Sequence, residues 1–216
     1  MKQRSSLSWI AVLIAVLPAL YLALIYNELP ATVPTHIGTD MQPDRMGGKA
    51  ELWLLSGLLS LVSIGLYFLL NNLQRIDPKR RGTGVSSAFT KLAFGLVIFL
   101  AALNIIIIAS AKGVVAVQNF LFPLLGLLFA FIGNYMNHIK PNFFAGIRLP
   151  WTLSSDENWR RTHAVAGKLW FTGGLLIAAI SLFVPVKLMV YIFLGITLVI
   201  TLIPVAYSYR LFKQQV

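Results

Sequence analysis

The chain has 216 residues, 57% hydrophobic and only 12% charged, with a formal net charge of +11 and a mean hydropathy of +0.77. A soluble globular domain carries about 25% charged residues, so this composition excludes one and describes an integral membrane protein. There is no cysteine, which excludes disulfides, thiolate metal sites and cysteine nucleophiles.

Six stretches lack any charged residue and are long enough to cross a bilayer: 5–27, 52–74, 92–111, 113–139, 169–186 and 188–209. The first opens with Lys2 and Arg4 and so imitates a signal peptide. Its apolar core outruns a signal h-region, however, and Asn27-Glu28-Leu29-Pro30 is a poor cleavage site, so it reads as a retained span. The fold class is therefore an all-α membrane protein of six transmembrane helices. Pro18, Pro123 and Pro204 can kink the first, fourth and sixth spans, which membrane helices tolerate when neighbours satisfy the freed carbonyl. Ser56, Gly57, Ser60, Ser63 and Gly65 in the second span and Gly173-Gly174 in the fifth are small enough for close helix approach.

The lysines and arginines are unevenly placed. Six spans put Arg45, Lys49, Lys112 and Lys187 on one side of the membrane and all the others opposite. By the positive-inside rule both termini are cytoplasmic, and the basic excess encodes topology, with some attraction to anionic lipid, and not nucleic-acid binding. The expected organisation is an N-terminal membrane domain (1–74) with outer loop 28–51, a basic cytoplasmic loop (75–91), and a second membrane domain (92–216) with inner loop 140–168. The two long loops follow the first and fourth spans on opposite faces, a placement that an inverted three-plus-three repeat would give.

In the outer loop, Pro30, Pro34, Pro43 and Gly38 fix much of the backbone and predict a defined shape. His36, Asp40 and Asp44 are ligand-competent and spaced by four. Gly38 and Pro43 argue against the helix that would align them, which leaves capping and turn hydrogen bonds, or a surface recognised by a partner, ahead of a metal site.

The fourth span ends near Asn134, His138, Lys140, Pro141 and Asn142; the four-residue spacing places Asn134 and His138 on one helical face, and Pro141 ends the helix. Ser154-Ser155-Asp156-Glu157 contains a Ser-x-x-Glu capping box, with Ser154 as N-cap, and predicts a helix that starts near Ser155 and runs into the fifth span. On it Trp159, His163, Ala166 and Trp170 share a face opposite Arg160 and Arg161, which reads as an interfacial helix with its tryptophans at headgroup depth. Arg148 sits among Phe143, Phe144, Ile147, Leu149 and Trp151. It is placed to stack on a ring, pair with Asp156 or Glu157, touch a lipid phosphate, or meet a ligand or protein partner.

The run Asn134-Tyr135…Lys140-Pro141-Asn142…Gly146-Ile147-Arg148-x-Pro150-Trp151-Thr152-Leu153…Glu157-x-Trp159…His163…Gly167-Lys168 resembles the signature of the SdpI family, bacterial multi-pass membrane proteins whose namesake gives immunity to a secreted killing peptide. Pro34-Thr35-His36…Gln42-Pro43-Asp44 resembles the uncharacterised N-terminal domain of longer members, with Met41 where that pattern generally has a glycine and Leu149 where the signature commonly has a threonine.

The resemblance implies a non-enzymatic immunity or signalling protein of the bacterial plasma membrane, without a cofactor. Its partners would be membrane lipids, a peptide toxin outside and a cytoplasmic protein such as a repressor. The binding residues it implies are Asn134, His138, Pro141, Asn142, Gly146, Arg148, Pro150, Trp151, Glu157, Trp159 and His163 inside, and Pro34, His36, Asp40, Pro43 and Asp44 outside. Two other classes stay open. A small transporter fits the proline-broken helices, although no Asp, Glu, Lys or Arg falls within the six spans and Asn104 is the one strongly polar residue deep in a span. A membrane-embedded enzyme would use His138, His163, Asp156 and Glu157, but no recognised catalytic spacing joins them.

Overall fold

In a bilayer core, backbone N–H and C=O groups must find partners within the protein, and an uninterrupted apolar run does this as a helix. The computed structural model, which describes residues 2–76 and 87–214, has six such helices, each long and apolar enough to span. They are α1 (Lys2–Ile25), α2 (Glu51–Ile76), α3 (Ser87–Ala111), α4 (Val117–Met136), α6 (Asp156–Ile180) and α7 (Val186–Lys213), with a five-residue helix α5 (Pro150–Ser154) between α4 and α6. The chain is a multi-pass membrane protein.

Several boundaries differ from the charge-free runs. The described part of α3 runs from Ser87 through Lys91, since a helix continues past a charge at a polar boundary, and α4 ends at Met136, where residues 137 and 138 form a turn. The basic residues Lys79, Arg80 and Arg81 of the expected loop lie outside the described residues. The outer loop has the defined shape its prolines predict, but as a β-hairpin: β1 (Thr32–Ile37) pairs antiparallel with β2 (Pro43–Gly48), with irregularities on either side of His36.

α1, α2 and α3 pack on one another, as do α4, α6 and α7, and α3 packs on α4. Small side chains decide the tightest contact. A Cβ built on Gly174 of α6 would lie 2.3 Å from the Ala130 amide nitrogen, and one on Gly133 of α4 would lie 2.4 Å from that of Phe171. The α4 and α6 backbones therefore touch along Gly126, Ala130 and Gly133 on one side and Gly167, Gly174 and Ala178 on the other, as small-residue membrane interfaces do. The glycines of α2 do not share this role. Gly57 and Gly65 have nothing within 4 Å of a built Cβ, and the interior face of α2 is instead its serines, with Ser60 donating to the Ala15 carbonyl at 2.7 Å and Ser56 bonded to Asn104.

Besides the α3–α4 contact, two clusters among the described residues join the helix triads, one at each end of the bundle. At the hairpin end, Val33 is buried with Leu22, Ile25, Leu52, Ile108 and Ala111 of the first triad and with Leu29 of the connection. Met41, at the hairpin tip, is buried with Phe122, Ile177 and Met189 of the second. At the other end Trp159 packs with Leu73, Phe89 and Leu92.

Candidate functional site

The inner loop folds around three side chains that saturate their hydrogen bonds. Asn142, 2% exposed, accepts from the Phe144 and Ala145 amides (2.8 and 2.7 Å) and donates to the Lys140 and Ala145 carbonyls (2.9 and 3.0 Å). These four bonds are the full capacity its carboxamide commonly meets, so the Phe143–Phe144 tip is held as a fixed turn. Thr152, fully buried, accepts from the Leu149 amide at 2.9 Å and donates toward the Ile147 and Leu149 carbonyls. Pro150 occupies the first position of α5, where its missing N–H costs nothing.

The third is His163. Its Nδ1 lies 2.8 Å from the Trp159 carbonyl, which can only accept, so Nδ1 carries the proton. Nε2 then accepts from the Ile147 amide at 3.0 Å. The ring stacks on Trp159 with centroids 4.1 Å apart and an 18° interplanar angle, and the Trp159 indole N–H donates to the Ile139 carbonyl at 2.8 Å. Both ends of the inner loop are thus clamped to one turn of α6. Gly146, at φ +114, passes so close that a Cβ there would lie 2.4 Å from His163 Nε2.

A second set of bonds reaches the end of α7. The Trp151 indole N–H donates to Ser208 Oγ at 3.0 Å, and the ring stacks on Phe212 with centroids 5.9 Å apart. The Asn158 carboxamide donates to the Ser208 carbonyl at 3.0 Å and accepts from the Thr162 hydroxyl at 3.0 Å. Asn158, Thr162 and Ser208 are buried and were missed in the sequence. The signal for Asn158 and Thr162 was polar residues at i and i+4 on α6 beside Trp159 and His163, whereas Ser208 on α7 had none.

Other expectations need correcting. The N-cap of α6 is Ser155, whose hydroxyl accepts from the Asn158 amide at 3.2 Å, while the Ser154 hydroxyl turns back to the Trp151 carbonyl. α4 stops at Met136, so His138 lies beyond it on a turn and shares no helical face with Asn134; both are exposed. Trp159 is 1% exposed and belongs to the protein interior, not to a lipid-facing belt. Arg148 is exposed and donates to the Phe143 carbonyl at 2.5 Å. Glu157 pairs with Arg160 at 2.9 Å and Arg161 at 2.5 Å, and among the described residues no carboxylate lies within ion-pair distance of Arg148. Pro141 leads into the Asn142 turn.

On the hairpin, His36 Nδ1 meets Asp44 Oδ1 at 2.5 Å, Asp40 Oδ1 accepts from the Gln42 amide, and Pro34 and Pro43 sit in β1 and β2. Arg45 bonds Thr35 Oγ1 at 3.1 Å and faces Glu51 at 3.4 Å. These groups border an open groove whose floor is Leu52, Leu54, Leu55 and Leu58 of α2. Nearby, Lys112 donates to Glu28, and that bond raises the pKa of the ammonium above its ordinary value. Among the described residues no group of three or more His, Asp or Glu is placed to hold a metal ion.

A six-helix membrane bundle with a β-hairpin at one end and a clamped polar loop at the other is the class defined by this geometry. Residues 138–208 match the SdpI/YfhL protein family, and residues 13–59 match a domain of unknown function (DUF1648). The chain therefore carries the SdpI family region together with the N-terminal domain expected from the sequence. It is 28% identical over 89 residues to the immunity protein SdpI of Bacillus subtilis, covering 41% of this chain and 42% of that protein. It is also 48% identical over 42 residues to an uncharacterized protein of Archaeoglobus fulgidus, covering 19% of this chain and 23% of that one. The chain thus spans less than half the length of either relative in these matches. No solved structure matches it.

Proposed function

We propose that this chain is a non-enzymatic membrane immunity protein, which protects a cell from a secreted antimicrobial peptide met at the hairpin face and communicates with a cytoplasmic partner through the clamped inner loop. The observation that carries this reading is the extent of the family match. Residues 138–208 begin at the inner loop and end on Ser208, the residue that closes its hydrogen-bond network through Trp151 and Asn158. The family match therefore contains the inner loop, the His163 clamp and the Trp151 and Asn158 bonds to Ser208.

In this reading the hairpin offers the toxin a polar mouth formed by Thr35, Arg45 and Glu51 above an apolar floor, and His36, Asp40 and Asp44 shape the tip. Inside, the fixed Phe143–Phe144 turn and the exposed Arg148 form the contact for a cytoplasmic protein. His163, Trp159 and Gly146 hold that surface in place.

The test is survival of a sensitive bacterium expressing the chain and challenged with a secreted killing peptide of the type that SdpI-family immunity proteins counter. The native chain protects, whereas Arg148→Ala and His163→Ala lose protection at equal membrane abundance. Killing of cells that carry the native chain at normal abundance overturns the reading. A second reading, a small transporter, is favoured by Asn104, which is 2% exposed in mid-span with Oδ1 unpartnered. Uptake or efflux of a solute that Asn104→Leu abolishes would select it.

A further inference from the structure

Among the described residues, the outer hairpin is braced within itself, tied at its base, and meets the second helix triad by apolar contact. At the base, the Lys49 amide donates to the Ala31 carbonyl at 3.1 Å, its ammonium reaches the Tyr26 and Leu29 carbonyls at 2.9 and 3.4 Å, and the Gly48 amide donates to Glu51 at 3.2 Å. Along the hairpin the strands pair, and Arg45 and Thr35 bond across them. At the tip the Gly38 amide donates to the Gln42 carbonyl at 2.8 Å, the Met41 amide to the Gly38 carbonyl at 2.9 Å, and His36 meets Asp44. Each of these tip bonds is internal to the hairpin.

What the tip gives to α4, α6 and α7 is the Met41 side chain, 8% exposed among Phe122, Ile177 and Met189, with Ile37 beside it. Met41 also has a positive φ, 61°, a conformation that L side chains adopt at some cost. An arm anchored by hydrogen bonds at its base, and at its tip by Met41 under backbone strain with Ile37 beside it, can lift that tip with the tip's own hydrogen bonds intact, parting the exposed 3.4 Å Arg45–Glu51 contact.

We propose that the outer hairpin is a latch. It is hinged where residues 29–31 and 47–49 join it to α1 and α2, and Met41 is its bolt, closing a seat between the outer ends of α4, α6 and α7 and withdrawing from it in a minor open state. The seat is buried and lined by the apolar Phe122, Ile177 and Met189; when the bolt withdraws, it opens to water on the hairpin face. Opening removes the hairpin's own link between the two triads, while the α3–α4 packing and Trp159 still join them. The inference stands on the geometry of the hairpin and does not depend on what the protein protects against.

The chain has no cysteine, so a single introduced thiol reports alone. Met189→Cys is placed in the full-length protein, purified in detergent micelles, and its labelling by a charged, water-soluble thiol reagent is timed with Met41 present and with Met41→Gly. Glycine accepts the positive φ, so that variant removes the bolt and keeps the turn. Labelling with native Met41 goes to completion, but roughly 10- to 100-fold more slowly than with Met41→Gly, the factor that burial of one methionine side chain supports. Met46→Cys, on the exposed part of β2, gives the rate for an unprotected thiol. Equal rates in the two backgrounds overturn the proposal, because Met41 then closes nothing. Failure to label at all with native Met41 also overturns it, because Met41 is then a fixed plug. Should Met189→Cys fail to elute as folded protein, Ile180→Cys, half-buried at the margin of the same cluster, carries the same comparison.

Discussion

Gly174→Ala tests the central packing claim, that the α4 and α6 backbones are in direct contact. The added methyl would sit 2.3 Å from the Ala130 nitrogen and 2.5 Å from the Gly126 carbonyl oxygen, where ordinary contact begins at 3.4 Å. Both neighbours are backbone atoms of a helix, so no side chain can swing aside, and the two helices must part by about 1 Å. A gap of that size forfeits roughly a quarter to a half of the dispersion well for the pairs it opens. Neighbouring close contacts at Gly133 and Gly126 open with it. Overpacking of this kind costs about 1–3 kcal/mol, and the better helix propensity of alanine returns at most about 1 kcal/mol. The net expectation is a loss of about 2 kcal/mol at the upper end, or a melting temperature lower by about 4–8 °C for a chain of this size. The assay is the fraction of protein still eluting as a folded peak after heating in detergent. Gly57→Ala is the control, because its methyl meets nothing within 4 Å, and it should melt with or slightly above the native chain. If Gly174→Ala melts together with Gly57→Ala, the close α4–α6 contact is wrong.

Three further outcomes follow from single positions. Gly146→Ala faces both a positive φ and a Cβ 2.4 Å from His163 Nε2; it should displace the Ile147 anchor and expose the inner loop to limited proteolysis near residue 146, and an unchanged cleavage pattern would count against the clamp. Asn104→Leu should change stability by less than about 1 kcal/mol, since interhelical hydrogen bonds in membranes average about 0.6 kcal/mol and Asn104 Oδ1 is already unpartnered; a loss of several kcal/mol in thermal unfolding would show that its bonds to Ser56 matter far more. The distribution of basic residues predicts that a reporter fused after Val216 behaves as cytoplasmic, and activity on the outer side would reverse the topology.

Helix number and approximate span positions were legible because they depend on a one-dimensional quantity, the length of apolar chain relative to bilayer thickness. The inner loop was legible in part for a local reason. Gly146, Pro150, Trp159 and His163 stand out as residue types that polar loops do not need, and the structure brings them together with Asn142 and Trp151 around one turn of α6. The signal failed where two good local solutions compete. Ser154 and Ser155 both qualify as caps, and only the direction in which the chain leaves α5 decides for Ser155.

Elsewhere the partner is distant, and no local pattern encodes it. Ser208 looks like an ordinary small residue of a membrane helix until Trp151 and Asn158, 57 and 50 positions away, arrive to bond it. Gly57 and Gly174 are indistinguishable in sequence, yet one faces open space and the other touches a backbone. Met41 reads as a turn residue, and its burial against the second triad appears only once the hairpin has folded over the outer end of the bundle. The sequence by itself determined that the chain crosses the membrane six times and where its polar loops fall, because hydrophobicity and chain length suffice for that. Which small residues become contacts, which polar residues become clamps and how the two triads are joined were decided by tertiary structure, because those properties belong to pairs of residues separated along the chain.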